Sequence, residues 1–395
     1  MTHLAASPNI RSGSDALKSR PRILVSDDHH DILAALELML KMQGYRIEAV
    51  DSPEAALRTA DATFDLILID LNYSRDTTSG EEGLALLKAL RKRLPHVPIV
   101  VMTAWSNVEL AVEAMRNGAS DFVQKPWDNS RLIETVRKEL DRAAAVRKAA
   151  QSAKSEFEIA QHVQQKLFPQ KRKNLATLDY AGRCLPARVV GGDYYDFFDY
   201  AEGRLAGVLA DVSGKGVGAA MLMANLQASF RSQYEGGIRE TADVLRAVNR
   251  LFFESTPPEQ YVTLFYFDYD ESTRKLSYAN CGHPAPMMLR ASGEEEYAAP
   301  TATVVGLFSK WECATTHTTL EPGDRMFAFT DGATDCVGGE DADEELGDEG
   351  LINLFRRLPG TNAEESVNLL LEELAEFGGE RDLVDDQTVL ALVAR

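Results

Sequence analysis

The chain has 395 residues, enough for two or three domains, and its 45% hydrophobic and 26% charged content is that of an ordinary globular protein. No uncharged apolar run reaches about 18 residues, so no transmembrane helix is expected, and Cys184, Cys281, Cys313 and Cys336 form neither a CxxC pair nor a disulfide framework. Residues 1–170 carry 22 basic and 23 acidic side chains whereas residues 171–395 carry 20 and 38, and so acidic a second half disfavours a nucleic-acid-binding output.

Residues 1–20 are small and polar, lack the apolar segment of a signal peptide, and read as the disordered leader of a cytoplasmic protein with no membrane association. RILVS (22–26), RIEAV (46–50), DLILID (65–70), PIVVMTA (98–104) and DFVQKP (121–126) then alternate with amphipathic stretches such as 31–42 and 83–94. Five strands alternating with helices predict a doubly wound, flavodoxin-like parallel sheet over 21–142. In such sheets functional groups gather at the carboxyl ends of the strands.

A helix is expected from about 131 to 168, ended by Pro169. Val136, Leu140, Ala143, Val146, Ala150, Ala153, Phe157, Ala160, Gln164 and Leu167 recur by threes and fours, close to a heptad seam. So alanine-rich a stripe needs a partner, which predicts a linker over 143–170 that pairs in a homodimer or docks on a neighbouring domain. From 171 to 395, LAGVLADVSG, YVTLFYFDYDESTRKLSYAN, MMLR, RMFAFTDG and QTVLALVAR read as strands, and 216–232, 241–254, 349–358 and 363–377 as helices, an α+β domain.

The strand ends of the first domain carry Asp27 and Asp28, Asp70, Thr103 and Lys125. Clustered carboxylates need a divalent cation, and oxygen ligands suit Mg²⁺. An aspartate beside a metal can accept a phosphoryl group, whose oxygens a lysine and a hydroxyl can hold. This set, in this order, resembles the receiver domain of two-component response regulators. The resemblance implies Asp70 as phosphoacceptor, Mg²⁺ held by Asp28, Asp70 and the Asn72 carbonyl with Asp27 assisting, and Thr103 and Lys125 on the phosphoryl group. It further implies Phe122 as the switch aromatic, a cis Lys125–Pro126 bond, and a sensor histidine kinase as partner. One departure is the thirteen-residue step from Asp70 to Gly83, where the family has about eight.

Four acidic stations stand in the second domain: Asp193 in GGDYYDFF, Asp211 in LADVSGKG, Asp331 in FTDG, and Asp385 with Asp386 in VDDQTV. Strand-end carboxylates are costly to bury unless paired or metal-bound, which makes a shared Mg²⁺ or Mn²⁺ cluster the economical reading. Lys215 is the one cation near them in sequence, read as surface charge by default and substrate contact as the alternative. The glycines around it fit neither a Walker A loop, since Gly216 follows Lys215, nor a dinucleotide fingerprint. The ordered set GGDYYD, ADVSGKGVGAAM, ANCGHPAPMML, FTDG and DDQTV resembles the metal-dependent protein phosphatases (PPM), nearest the bacterial branch that regulates sigma factors and sporulation. That resemblance implies an α/β/β/α sandwich and two Mn²⁺ or Mg²⁺ ions, with Asp211 bridging. Asp193 and the Val212 carbonyl would complete one site, Asp331 and Asp385 the other, with Asp386 as the alternative to Asp385.

The resemblance implies a serine/threonine phosphatase acting on a phosphoprotein such as an anti-sigma-factor antagonist, under the control of Asp70. A binding module that sequesters a regulatory partner is the alternative; intact acids at all four stations argue against it. His283, in the turn NCGHPAP, is expected to be structural rather than a general acid. Arg188 is a weak counterpart for the phosphate-holding arginine of the eukaryotic branch, and the acidic run 340–349 reads as an exposed loop.

Overall fold

The computed structural model describes residues 20–73, 80–104, 108–170, 175–237, 240–338, 344–360 and 362–395. The leader expected at 1–20, apart from Arg20, lies outside the described residues, as do much of the loop after Asp70 and part of the acidic run 340–349. The chain divides into two units, Met1–Ala153 and Lys154–Arg395.

In the first unit β1 (Arg22–Ser26), β2 (Arg46–Val50), β3 (Leu66–Asp70), β4 (Ile99–Ala104) and β5 (Asp121–Lys125) form one parallel sheet in the order β2-β1-β3-β4-β5. The strands are continuous apolar runs because both faces are covered. Leu36 and Leu40 of α1 (His30–Met42) pack on one face with Leu132, Val136 and Leu140 of α5 (Asn129–Gln165). Ala56 of α2 (Pro53–Thr59), Leu84, Leu87 and Leu90 of α3 (Glu81–Arg93) and Ala114 of α4 (Val108–Arg116) cover the other. Strand order reverses at β1, so the carboxyl ends of β1 and β3 border the crevice where such folds place their chemistry.

The helix α5 is 37 residues long, a span of about 55 Å. Val136 and Leu140 are buried in the first unit, while Val146 and Phe157 on the expected seam stand 63% and 41% exposed.

The second unit stacks two antiparallel sheets. One contains β7 (Tyr194–Ala201), β8 (Arg204–Val212), β9 (Val262–Asp270), β10 (Lys275–Cys281) and β13 (Thr316–Thr319), in the order β13-β10-β9-β8-β7. The other contains β6 (Leu178–Leu185), β11 (Met287–Leu289), β12 (Glu295–Tyr297), β14 (Arg325–Phe329) and β17 (Gln387–Ala394), in the order β12-β11-β14-β17-β6. Period-two alternation explains the stack. On β14, Met326 and Ala328 point between the sheets, where Phe197, Leu209, Phe265 and Phe267 join Leu390 and Leu392. Phe327 and Phe329 point the other way, under Leu351 and Phe355 of α9 (Gly347–Arg357) and Leu370 of α10 (Ala363–Gly378). The first sheet's outer face carries Phe198, Val208 and Tyr266 beneath Met223 and Phe230 of α6 (Val217–Glu235) and Phe252 of α7 (Thr241–Ser255). Burying each such phenyl ring contributes about 2–3 kcal/mol. The layers run helix, sheet, sheet, helix, the sandwich the sequence predicts. A short α8 (Asp331–Thr334) follows β14, and β15 (Val337–Gly338) pairs with β16 (Glu344–Glu345).

Candidate active sites at the two sheet ends

In the first unit Asp27 follows β1, Asp70 ends β3, Thr103 lies in β4 and Lys125 ends β5. The parallel register brings these ends together. The Lys125 ammonium bonds Asp27 Oδ2 at 2.6 Å and Asp70 Oδ2 at 2.8 Å. Asp27, Asp70 and Thr103 are buried. Burial raises the Asp70 carboxyl above its usual range, and Lys125 pulls it back down. Asp28 is half-buried and pairs with His29 Nδ1 at 2.9 Å. Asp27, Asp28 and His29 each bring one donor atom within 4.8 Å of the others, the one such trio among the described residues. Asp70 Oδ1 and Asn72 Oδ1 are buried with no hydrogen-bond partner among the described residues. A carboxylate oxygen beside the carboxylates of Asp27 and Asp28 fits an oxygen-preferring divalent cation. Phe122 is 40% exposed, and the Lys125–Pro126 bond is cis.

In the second unit the acids meet where the two sheets end together. Asp193 immediately precedes β7, Asp211 is the penultimate residue of β8, and the pairing of Tyr194 with Ala210 sets them opposite one another. Their carboxyls are close enough that the charge of Asp211 raises Asp193. Asp193 is buried, and its Oδ2 accepts the hydroxyls of Thr330 at 2.8 Å and Thr388 at 2.5 Å. Those two threonines sit at matching positions beyond β14 and in β17, joined by Thr388 N–H to Thr330 Oγ1 at 3.0 Å. The second sheet thereby holds an acid that belongs to the first.

Burial, then Asp211, pushes Asp193 far above the usual carboxylate range. Burial and the charges of Asp331, Asp385 and Asp386 push Asp211 up to about 7. Desolvation, then Asp385 and Asp335, raises Asp331, which stands at the surface as the first residue of α8. Acids crowded in this way are stabilised by a cation between them, and hard oxygen donors suit Mg²⁺ or Mn²⁺. The donor set fits such ions, although it is spread more widely than the receiver trio.

Asp385 and Asp386 part company. Asp385 is one-third exposed and pairs with Lys215 at 2.6 Å. Asp386 is buried with both oxygens engaged by main-chain amides: Oδ1 accepts Ala187 N–H at 2.8 Å, Oδ2 accepts Gly192 N–H at 2.7 Å and Asp193 N–H at 3.4 Å. The Val212 carbonyl lies 3.0 Å from where a Cβ on Gly192 would stand, beside the acids. Gly216, at φ +73°, turns the chain in the left-handed region that a side chain rarely adopts.

Several partners were not legible in the sequence. Lys215, expected as a surface charge, reaches Asp385 and the Val384 carbonyl. The Arg188 guanidinium comes within 3.5 Å of a Cβ placed on Gly216, so a second cation stands at the rim of the acids. Thr330 and Thr388 were visible only as letters inside FTDG and DDQTV; a hydroxyl abutting each acidic station on a paired strand was the available signal. Gln164, counted in the seam, is instead buried against Gly191. His283 is buried, with Nδ1 at 3.0 Å from Thr263 Oγ1, and burial depresses its imidazole to about 3, consistent with a structural part.

Comparison with known proteins agrees with this division. Residues 23–137 match the family model of the response regulator receiver domain, and residues 201–395 that of stage II sporulation protein E. The phosphoserine phosphatase RsbU of Bacillus subtilis is 32% identical over 187 residues, 47% of this chain and 55% of that protein. The response regulator protein FleR of Pseudomonas aeruginosa is 39% identical over 116 residues, 29% of this chain and 24% of that protein. The chain thus spans about half or less of these relatives' own lengths. Among solved structures, the SiaA-PP2C domain of Pseudomonas aeruginosa superposes with a TM-score of 0.55 at 23% identity, over 62% of this chain and 97% of that domain, a likeness of fold. The chain therefore joins a response regulator receiver domain to a phosphatase domain of the stage II sporulation protein E family.

Proposed function

We propose that the chain is a response regulator whose receiver, phosphorylated on Asp70 by a sensor histidine kinase, controls a metal-dependent serine/threonine phosphatase. The observation that carries this reading is the buried Asp193, held by Thr330 and Thr388 and set opposite Asp211 at the joint end of two sheets, with Asp331 and Asp385 close enough to raise Asp211. Asp193, Asp211, the Val212 carbonyl, Asp331 and Asp385 would hold two Mn²⁺ or Mg²⁺ ions. Asp386 is left out of the set because its oxygens are already engaged by main-chain amides. Ions held there would supply Lewis acidity that lowers the pKa of a water and makes a hydroxide nucleophile available near neutral pH. The chain's own residues hold the geometry: Thr330 and Thr388 fix Asp193, and Arg188 and Lys215 at the rim meet the phosphoryl oxygens of the substrate.

In the receiver, Asp27, Asp28, Asp70 and the Asn72 carbonyl would hold Mg²⁺, Thr103 and Lys125 would bind the phosphoryl group on Asp70, and Phe122 would report its arrival. The substrate is a phosphoprotein, an anti-sigma-factor antagonist by analogy with the family's sigma-regulating branch. The exposed seam around Val146 and Phe157 supports pairing of α5 with a second copy.

The test uses hydrolysis of a phosphoserine peptide with Mn²⁺, and acetyl phosphate as phosphodonor. Asp211→Asn should abolish turnover while the receiver still becomes phosphorylated. Asp70→Asn should keep basal turnover and lose its response to acetyl phosphate. A wild-type chain inactive with both Mn²⁺ and Mg²⁺, in either receiver state, would reject the reading.

A further inference from the structure

Three chain segments meet at the rim of the acid centre of the second unit, and each carries exposed apolar side chains close to its acid. Val189 lies four residues before Asp193, Val384 directly precedes Asp385, and Val217 and Met221 open α6 after Asp211. Contacts between the segments gather these residues around one opening. The Arg188 guanidinium lies 3.5 Å from the place of a Cβ on Gly216. Lys215 donates to the Val384 carbonyl at 3.2 Å and pairs with Asp385 at 2.6 Å. Ala187 and Gly192, on either side of Val189, both donate to Asp386. Val217 and Met221 are one helical turn apart and share a face of α6. Met221 is 69% exposed and Val384 63%, whereas Ala219 and Met223 of the same helix are buried. A lone exposed valine needs no explanation, but several large apolar side chains around one charged opening mark a surface that a partner covers.

We propose that Val189, Val217, Met221 and Val384 form an apolar collar that receives the side chains flanking the substrate's phosphoserine. The partner that fits is a phosphoprotein whose phosphorylated serine stands in an apolar patch. This rests on the reading of the acid centre as a phosphatase site. Charge complementarity selects the occupant. A phosphoryl dianion is the group that Arg188 and Lys215 attract beside the collar. Away from those two cations, residues 171–395 carry 38 acidic and 20 basic side chains, a field that repels an acidic partner. Contacts on either side of the phosphate therefore gain most from uncharged side chains. Valine offers a stiff apolar surface there, and methionine one that adapts its shape to the residue it meets.

The experiment uses the full chain with Mn²⁺ and two phosphoserine peptides of equal length and net charge. One flanks the phosphoserine with leucine and valine, the other with serine and glycine. The wild-type chain should hydrolyse the apolar peptide with a kcat/KM about tenfold higher, the discrimination that a few apolar contacts supply. Val217→Thr combined with Met221→Gln keeps the size of both side chains on an exposed helix face. That double variant should lose the preference through KM, with kcat little changed. Its Mn²⁺ affinity and its turnover of p-nitrophenyl phosphate should match the wild type, which also shows that it folds. Met221→Leu should keep the preference. Equal kcat/KM for the two peptides in the wild type, or a preference that survives the double substitution, overturns the collar. A double variant that converts a dimer to a monomer in sedimentation and still prefers the apolar peptide assigns the surface to a second copy, and overturns it too. A wild-type chain that hydrolyses neither peptide nor p-nitrophenyl phosphate, with Mn²⁺ or with Mg²⁺, removes the phosphatase reading itself, and the collar falls with it.

Discussion

Replacing Asp386 by alanine should destabilise the second unit severely, while replacing its neighbour Asp385 should hardly move stability at all. Asp386→Ala deletes the acceptor of two short amide hydrogen bonds, from Ala187 at 2.8 Å and Gly192 at 2.7 Å, and of a longer one from Asp193. The site is 7% exposed, so water does not readily replace the lost carboxylate. Hydrogen bonds to a charged partner contribute about 1.5–3 kcal/mol each, so two of them amount to about 3–6 kcal/mol. For a unit of this size that is a fall of about 6–24 °C in Tm. Asp386→Asn keeps one carbonyl acceptor but sets an NH₂ against an amide N–H, and should cost about half as much. Asp385 is paired with Lys215 across a solvent-screened gap, an interaction contributing about 0–1 kcal/mol. Asp385→Asn should therefore melt close to wild type yet lose Mn²⁺ affinity. Scanning calorimetry of the metal-free chain, read on the transition of the second unit, together with Mn²⁺ titration below that transition, checks both halves. Asp386→Ala melting within about 2 °C of wild type, or Asp385→Asn binding Mn²⁺ as wild type does, would refute the division of labour.

Arg188→Ala should raise KM for a phosphoserine peptide about tenfold and leave Mn²⁺ affinity unchanged, because the guanidinium stands at the rim over Gly216 and outside the acid cluster; an unaltered KM would remove it from the substrate grip. His283 should make the second unit acid-sensitive. Its folded pKa of about 3 lies below the unfolded value near 6.5, so between those values the unfolded state binds the extra proton and stability falls as pH falls. Urea unfolding of the metal-free chain at pH 7.5 and 5.5 should show His283→Gln losing about 1.4 kcal/mol less than wild type over that interval, and equal losses would show that His283 is not buried neutral.

The receiver was legible almost entirely because its fold is built from contiguous signals. Each strand is a short apolar run, each candidate site residue lies at or next to the carboxyl end of one of them, and parallel order converts sequence order into proximity. Thus Asp27, Asp70 and Lys125 could be placed together before any coordinate, and their ion pairs follow. The α/β/β/α layering was legible from the family likeness more than from periodicity. Strands such as MFAF on β14 are buried on both faces and show no alternation of polar and apolar residues to say which sheet they join.

The second centre was legible only as a list of acids, because what distinguishes them is decided by residues far away in the chain. Asp385 and Asp386 are adjacent and chemically identical, and nothing local separates a ligand candidate from a scaffold. The separation comes from amides at 187 and 192, which lie nearly two hundred positions earlier and carry no side-chain signal of their own. The same holds for Thr330 and Thr388, whose hydroxyls converge on Asp193 only after β14 and β17 pair in one particular register. Gln164 is the exception that left a trace. A polar residue at a seam position forfeits packing, and such residues are retained where they fix one arrangement against its neighbours. Its amide is spent on Gly191 rather than on a helix partner. The helix that repeats an apolar stripe therefore breaks that stripe at the turn where it touches the segment leading to Asp193.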